Sequence, residues 1–378
     1  MPGGAQQYLI DIMEDRRRGL LARMVKVVLC VLSKLYRFGV WVRTMLYDSG
    51  VLKRHSLSCL TISVGNITVG GTGKTPFVEA LARALRDRGR NVAVLSRGYK
   101  SKQSRRHRAG ASAEGYSPRI VSDGKRVLLD SALAGDEPYL LAKNLDGVAV
   151  LVDKNRARAG RYAISRMGVD TIILDDGFQY RPLKRTLDLV LVDCTNPFGN
   201  GHLLPRGILR EPLRALKRAD CFVLTKTSGV KVERIREELR RVNPQAGIIE
   251  TVHQPVYFEE VISGRREQPE FIRGKDVYVV SAIARPESFE TAIERLGGRI
   301  EKRFRFMDHH RFTPNEIRQI LDRASADRVH AVVTTQKDAV RLPPMKSTAA
   351  PFFFLRVVIR ITQGTENLAD WVSKICQD

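Results

Sequence analysis

Asn66–Pro76 reads NITVGGTGKTP, and its residue types suit one task, the grip of a polyphosphate. Gly70, Gly71 and Gly73 permit the backbone angles that turn successive N–H groups toward an anion. Lys74 supplies a point charge for the β- and γ-phosphates, and Thr75 a hydroxyl for Mg²⁺. Thr68, Val69 and Thr72 complete the loop. One position departs from G-x-x-x-x-G-K-[ST]: Thr68 stands where the first glycine belongs, and the double glycine further in can supply the missing freedom. Two subclasses fit poorly. Partition-type ATPases place a lysine just before the double glycine, where this chain has Val69. GTPases read guanine with [NT]-K-x-D, and Thr225-Lys226-Thr227-Ser228 lacks the aspartate.

Four further segments carry chemistry-bearing residues. LDDGFQYR, Leu174–Arg181, puts Asp175 and Asp176 at the end of an apolar strand, where Mg²⁺-nucleotide chemistry needs a carboxylate. Adjacent carboxylates point in different directions, so one can serve the metal while the other is structural. AGDEP, Ala134–Pro138, sets Asp136 at a helix start, where capping is the ordinary role. FMDHHRF, Phe306–Phe312, gathers Asp308, His309 and His310 in a loop. NGHLLPRGILREP, Asn200–Pro212, is too irregular for core, holds Arg206, Arg210 and Glu211, and is rich in phosphate-binding side chains.

The surrounding pattern alternates short apolar runs with helical stretches. Strand Thr61–Gly65 leads into the glycine loop, and a helix follows from Pro76 to about Arg88. Strands are expected at Val92–Arg97, Val148–Val152, Thr171–Leu174, Leu187–Val192 and Cys221–Thr225, with a helix after Gly135–Pro138. None alternates cleanly, as strands covered on both faces should not. A polar, proline-containing stretch at Thr251–Glu270 then separates a second unit, and the boundary is expected near Glu260–Gly274. That unit has strands Asp276–Val280, His330–Thr334 and Phe352–Ile361, helices Pro286–Leu296 and Thr313–Ala324, and a terminal helix near Glu366–Ile375. Ser101–Arg108 reads as a solvated loop. The fold class is α/β: a P-loop NTPase-like α/β/α sandwich, a second, smaller α/β domain and an N-terminal amphipathic helix. The ranges are 1–50 for the helix, 51–260 for the nucleotide-binding domain, 261–362 for the second domain with linker strands, and 363–378 for the terminal helix.

With 64 Lys+Arg against 41 Asp+Glu, the 378 residues carry net +23, which calls for an acidic partner: nucleic acid, anionic lipid or a phosphorylated substrate. Aromatic content of 7% and the lack of a recognisable module argue against nucleic acid. Leu20–Tyr47 is apolar but interrupted by basic residues, too often for a membrane span. On a helix Arg23, Lys26, Lys34 and Arg37 form one narrow stripe, while Leu29, Leu32, Leu35, Tyr36, Val40 and Trp41 fill a broad arc. That pattern suits a helix lying in a membrane interface. The five cysteines (Cys30, Cys59, Cys194, Cys221, Cys376) show no ligand spacing and read as reduced thiols.

Taken together, these segments resemble the tetraacyldisaccharide 4′-kinases of lipid A biosynthesis. The resemblance rests on Asn66–Pro76, Ser96-Arg97-Gly98-Tyr99, Gly135–Pro138, Asp175–Gln179, Leu204–Pro212, Asp308-His309-His310 and Thr334–Asp338, TTQKD, in the family's order. In that family Thr68 is normal. The resemblance implies ATP and Mg²⁺ as cofactors and transfer of the γ-phosphoryl group to the 4′-hydroxyl of a tetraacylated disaccharide 1-phosphate. It implies two α/β/α domains joined by a two-stranded linker, with Thr251–Glu260 and Phe352–Ile361 as the linker strands and the active site in the cleft. It places a peripheral monomer on the anionic cytoplasmic face of the inner membrane, without nucleic acid.

The roles implied are Lys74 and Thr75 on phosphates and Mg²⁺, and Asp175-Asp176 as the Walker-B-like pair. Asp136 would be the base, with His309 orienting it or raising its proton affinity. Arg210 and Glu211 would be the transition-state and metal-site pair. Tyr180, Gln336 and Ala282 depart from the family's His, Glu and Gly. Two rival readings remain: a P-loop NTPase switch acting on a protein partner, and a nucleic-acid-dependent ATPase.

Overall fold

The computed structural model describes Tyr8 and residues 11–98, 117–345 and 347–364. The expected loop Ser101–Arg108, Tyr99, Cys376 and the expected terminal helix lie outside the described residues. The chain divides into two compact units, Ala5–Val252 with Ile359–Asp378, and His253–Val358 with Met1–Gly4.

The larger unit is built on strand β1 (Leu60–Gly65), which turns Leu60, Ile62 and Val64 to one apolar layer and the buried Thr61 and Ser63 to the other face. Ile62 and Val64 join Phe77, Val78, Leu81 and Leu85 of helix α2 (Lys74–Arg86) on one face. Burial of such a large side chain stabilises by roughly 1.5–3 kcal/mol. β2 (Val92–Ser96) and β5 (Thr171–Asp175) show the same division: Val94 and Ile173 face that layer, whereas Ala93, Leu95, Ile172 and Leu174 meet α5 (Arg156–Met167). Apolar cover on both sides explains the missing alternation in the sequence. With β3 (Arg119–Asp123), β4 (Ala149–Val152), β6 (Leu187–Asp193), β7 (Cys221–Thr225) and β8 (Gly247–Glu260), the strand order is β8-β7-β6-β1-β5-β2-β4-β3. All pair in parallel except β3, which is antiparallel to β4.

Helix α2 starts at Lys74, two residues before the expected Pro76. Gly73 takes a left-handed conformation, φ 85°, and caps the helix, so Lys74 and Thr75 already lie in its first turn. Pro76 costs nothing there, because first-turn N–H groups lack intrahelical partners. In this unit three helices went unread. α3 (Ser131–Ala134) is a single turn, α6 (Glu233–Val242) has few apolar residues, and α5 buries small ones, Ala157, Ala159, Gly160 and Ala163. A Cβ at Gly160 would come within 2.5 Å of Leu57 Cδ1, so this helix packs close to its neighbours through the absence of a side chain.

The smaller unit adds the two-residue β9 (Arg266–Glu267), antiparallel to β8, and orders β11 (Arg299–Arg305), β10 (Asp276–Ser281), β12 (Ala331–Thr335) and β13 (Phe352–Gln363) in parallel. Helix α8 (Pro314–Ala326) covers one face through Ile317, Ile320 and Leu321, and α7 (Pro286–Arg295) the other through Phe289 and Ile293. β11, RIEKRFR, was not expected. Its charged face suits a sheet edge, where Arg303 and Arg305 pair with Glu290 of α7. The chain passes between the units inside β8 and β13, so the division at Val252/His253 falls within a strand, ahead of the expected Glu260–Gly274. The exposed middle of β8 gives that stretch its polar sequence.

Helix α1 (Leu20–Asp48) belongs to the larger unit. Ala22 and Ser33 are buried against it, and Ser33 Oγ donates to Leu203 O at 2.9 Å. Leu21, Met24, Val27, Val28, Val31, Leu35 and Phe38 are all more than half exposed. Lys26 of the basic stripe is bound to Asp15 at 2.6 Å. Among the described residues, no helix is long and apolar enough to cross a membrane.

Candidate active site

The C-terminal ends of parallel strands gather the polar residues of the larger unit, as open α/β sheets do. From β1 the chain enters the glycine loop; from the flanking β5 it reaches Asp175 and Asp176; from β6 and β7 it reaches Asp193 and Thr225-Lys226. Close approach of the first two requires glycine: a Cβ at Gly65 would lie 2.7 Å from Phe178 Cβ, and one at Gly177 2.7 Å from Ser63 Oγ. Gly70 and Gly71, by contrast, face open space, with nothing within 4 Å of a built Cβ. Their lack of side chains leaves room for an anion.

Lys74 Nζ donates to Asn66 Oδ1 at 3.2 Å and lies 3.5 Å from Asp176 Oδ1. Arg210 grips the same carboxylate with both arms, Nη1 to Oδ2 at 2.8 Å and Nη2 to Oδ1 at 2.7 Å, and also donates to the Asn66 carbonyl at 3.0 Å. The loop and segment 200–212 are also tied by backbone, Val69 N to Ile208 O at 2.8 Å and Arg210 N to Ile67 O at 2.7 Å. Thr68 bridges to Leu209 here and is buried, so the position that broke the motif is a pairing position. Burial pushes the Asp176 carboxyl upward, but Lys74 and the Arg210 guanidinium outweigh it and hold the group below the carboxylate range.

Asp175 behaves oppositely. It is 2% exposed; its Oδ2 accepts from Ser96 Oγ at 3.2 Å, and its Oδ1 has no hydrogen-bond partner among the described residues. Burial, with like-charge repulsion from Glu137 and Asp176, pushes it up to about 6 against the pull of Lys74 and Arg156. The folded value stands above the ordinary 3.8, so the native chain binds more protons than the unfolded one between these values, and stability falls as pH rises through that window. Asp175→Asn is therefore expected to stabilise the nucleotide-free protein at about pH 8 by on the order of 1–3 kcal/mol. The gain should vanish near pH 4 in urea titrations.

A buried carboxylate oxygen lacking a donor among the described residues, at the end of the strand next to the one that leads to Thr75, suits a hard cation whose remaining ligands are phosphate oxygens. The residues fit Mg²⁺ in that sense. Glu211 is buried and its Oε2 is 2.7 Å from Arg218 Nη2. Arg206 is turned away from the loop, binding Asp15 at 2.6 Å, and it shares that carboxylate with Lys26. Asp136 is the first residue of α4 (Asp136–Asn144), capped by Gly135 at φ 92°, and so is not the cap itself. His309, in the smaller unit, has φ 66° and accepts at Nδ1 from Arg341 Nη2 at 3.1 Å.

Sequence reasoning missed several residues. Lys226 was weighed only as half of a failed guanine motif, yet its Nζ donates to Gly71 O at 2.9 Å and to Asp193 at 2.6 Å. Thr225 Oγ1 donates to Thr72 O at 2.9 Å. Two loop carbonyls are thus anchored to strand ends. Lys226→Met is expected to raise the nucleotide KM on the order of tenfold with a smaller change in kcat, since loop shape supports binding of ground and transition states alike. Asn66 and Arg156 were missed too; Arg156 Nη1 donates to Asp176 O at 3.0 Å and stacks on Tyr180, one of the departures noted above. Gln336 accepts from Arg356 at 2.6 Å. Ala282 is buried with φ outside the left-handed region, so its methyl group is accommodated.

A glycine loop between a central parallel strand and a helix, facing a buried aspartate on the neighbouring strand, defines a P-loop α/β protein that handles nucleotide phosphates. The chain belongs to the tetraacyldisaccharide-1-P 4′-kinase family, whose family model matches residues 25–377. It is 37% identical over 348 residues to the tetraacyldisaccharide 4′-kinase of Halothermothrix orenii, covering 89% of this chain and 88% of that protein. It is 42% identical over 338 residues to that of Anaeromyxobacter sp. strain Fw109-5, covering 89% and 87%. Among solved structures it resembles LpxK from Aquifex aeolicus in complex with ATP, with TM-score 0.70 and 29% identity over 92% of this chain and 99% of that one.

Proposed function

We propose that this chain transfers the γ-phosphoryl group of ATP to the 4′-hydroxyl of a tetraacylated disaccharide 1-phosphate. The observation that carries the reading is the Lys74–Asp176–Arg210–Asn66 cluster on a glycine-lined loop, in a chain of this family. ATP as donor is supported by the ATP complex of the Aquifex protein. The larger compact unit is the kinase domain, and the smaller one, entered and left through β8 and β13, is the second domain.

Lys74 and the loop 68–75 hold the β- and γ-phosphates. Thr75, Asp175 and Asp176 would hold Mg²⁺, with Glu211 as a further acidic group, and the ion would supply charge neutralisation for the transferring phosphates. Arg210, released from Asp176 as phosphate enters, steadies charge on the transferring group. Asp136 takes the proton from the 4′-hydroxyl, with His309 orienting it. The positive balance of the chain matches an anionic acceptor.

The exposed apolar arc of α1 lies in the anionic cytoplasmic surface of the inner membrane, flanked by Arg23, Lys34 and Arg37. Val31→Glu, Leu35→Glu and Phe38→Glu together should lower sedimentation with anionic vesicles at least about tenfold, each buried side chain being worth roughly 1.5–3 kcal/mol. Turnover of substrate in detergent should persist. The protein works as a monomer and without nucleic acid.

The reading is tested by incubating the protein with γ-labelled ATP, Mg²⁺ and a disaccharide 1-phosphate lipid in micelles. Label is expected at the 4′ position. Hydrolysis triggered only by an added protein, with no labelled lipid, would favour an NTPase switch instead.

A further inference from the structure

His309 sits in the smaller unit on the loop after β11, and its side chain is held by a buried network that joins motif residues Thr335 and Asp338 to Arg341, which lies outside the motifs. Arg341 Nη1 donates to Ala282 O at 2.9 Å and to Asp338 Oδ1 at 3.0 Å, and Nη2 reaches His309 Nδ1 at 3.1 Å. The Asp338 and Arg341 side chains are both 0% exposed. Asp338 Oδ2 accepts from Thr335 Oγ1 at 2.7 Å and from Ala282 N at 3.2 Å. The same Ala282 carbonyl accepts the backbone N–H of His309 at 3.1 Å. The backbone of one residue, one carboxylate and one guanidinium therefore fix both the backbone and the ring of His309.

A guanidinium has donors only, so a ring nitrogen bonded to it must be an acceptor. We propose that Arg341 is a positioning residue that fixes His309 as the tautomer with a bare Nδ1 and a proton on Nε2. Orientation of a functional imidazole through its second nitrogen is a general device. Asp308 Oδ2 lies 3.9 Å from Nε2, beyond hydrogen-bond reach, so that acid does not set the tautomer. The consequence, resting on the reading that His309 serves Asp136, is chemical. An Nε2–H donates to a carboxylate and favours its charged form. His309 then orients the base and does not raise its proton affinity or accept its proton.

The test is nitrogen NMR of the full-length protein labelled with ¹⁵N-histidine, at a pH where ordinary histidines are neutral. The His309 resonances are assigned by their loss in His309→Gln. The wild-type ring should show an unprotonated Nδ1 and a protonated Nε2; a protonated Nδ1 overturns the proposal. In Arg341→Met the ring should become a mixture of tautomers. Its kcat should fall roughly ten- to a hundredfold, with the ATP KM changed less than about twofold. Arg341→Met also strands the buried Asp338, so the wild-type spectrum decides if that variant does not fold. A folded Arg341→Met protein with an unchanged tautomer and kcat overturns the proposal as well. Near-wild-type turnover in His309→Gln would instead remove the role of His309 beside Asp136, leaving the tautomer assignment standing.

Discussion

Asp136→Ala is expected to lower kcat by on the order of 10²–10⁴-fold, the range for loss of a general base. A helix-end carboxylate has a competing structural role, and the two separate by magnitude. As a first-turn acid on α4, Asp136 favours the helix by roughly 0.3–1 kcal/mol. Its loss should therefore move the melting temperature slightly while turnover collapses. Gly135 holds the cap position, so the helix keeps its start without the carboxylate. Asp136→Asn preserves size and hydrogen bonding but cannot take a proton, and it should be as inactive as the alanine variant. Steady-state kinetics with saturating ATP checks both, and near-wild-type turnover in either would remove Asp136 from the base role.

Lys74→Ala should be comparably severe, on the order of 10²–10⁴-fold in kcat/KM. Lys74 is the loop cation facing Asp176, and its partner Asn66 also accepts from Arg210. Removing it strips the phosphates of a fixed charge and leaves Asp176 to Arg210 and Arg156. Lys74→Arg should not rescue, because a planar fork cannot take the place of a compact ammonium in so confined a site. Retained ATP turnover in Lys74→Ala would contradict the placement of phosphates on this loop.

The elements that carry chemistry were legible because short, doubly covered strands leave unbroken apolar runs ending in polar residues. β1, β5 and β7 were each read to within a residue at both ends. α5 escaped because its buried face is alanine and glycine, and β11 because its charges answer to Glu290 and not to a core. The residues of the site that were missed share another property. Lys226, Arg156 and Arg341 act through backbone carbonyls or ring nitrogens distant in sequence, contacts that no local motif encodes. Left-handed backbone at Asp176, Lys226 and His309, φ 52°, 58° and 66°, marks three candidate site positions in the fold, one of them missed, but leaves no trace in composition.

The most direct measurement is a crystal structure of the protein with a non-hydrolysable ATP analogue, Mg²⁺ and a soluble disaccharide 1-phosphate. The β- and γ-phosphates should lie along residues 68–75 with Lys74 Nζ in contact, and the acceptor hydroxyl should lie within hydrogen-bond distance of Asp136. A triphosphate bound away from the glycine loop, or an acceptor hydroxyl out of reach of Asp136, would contradict the account.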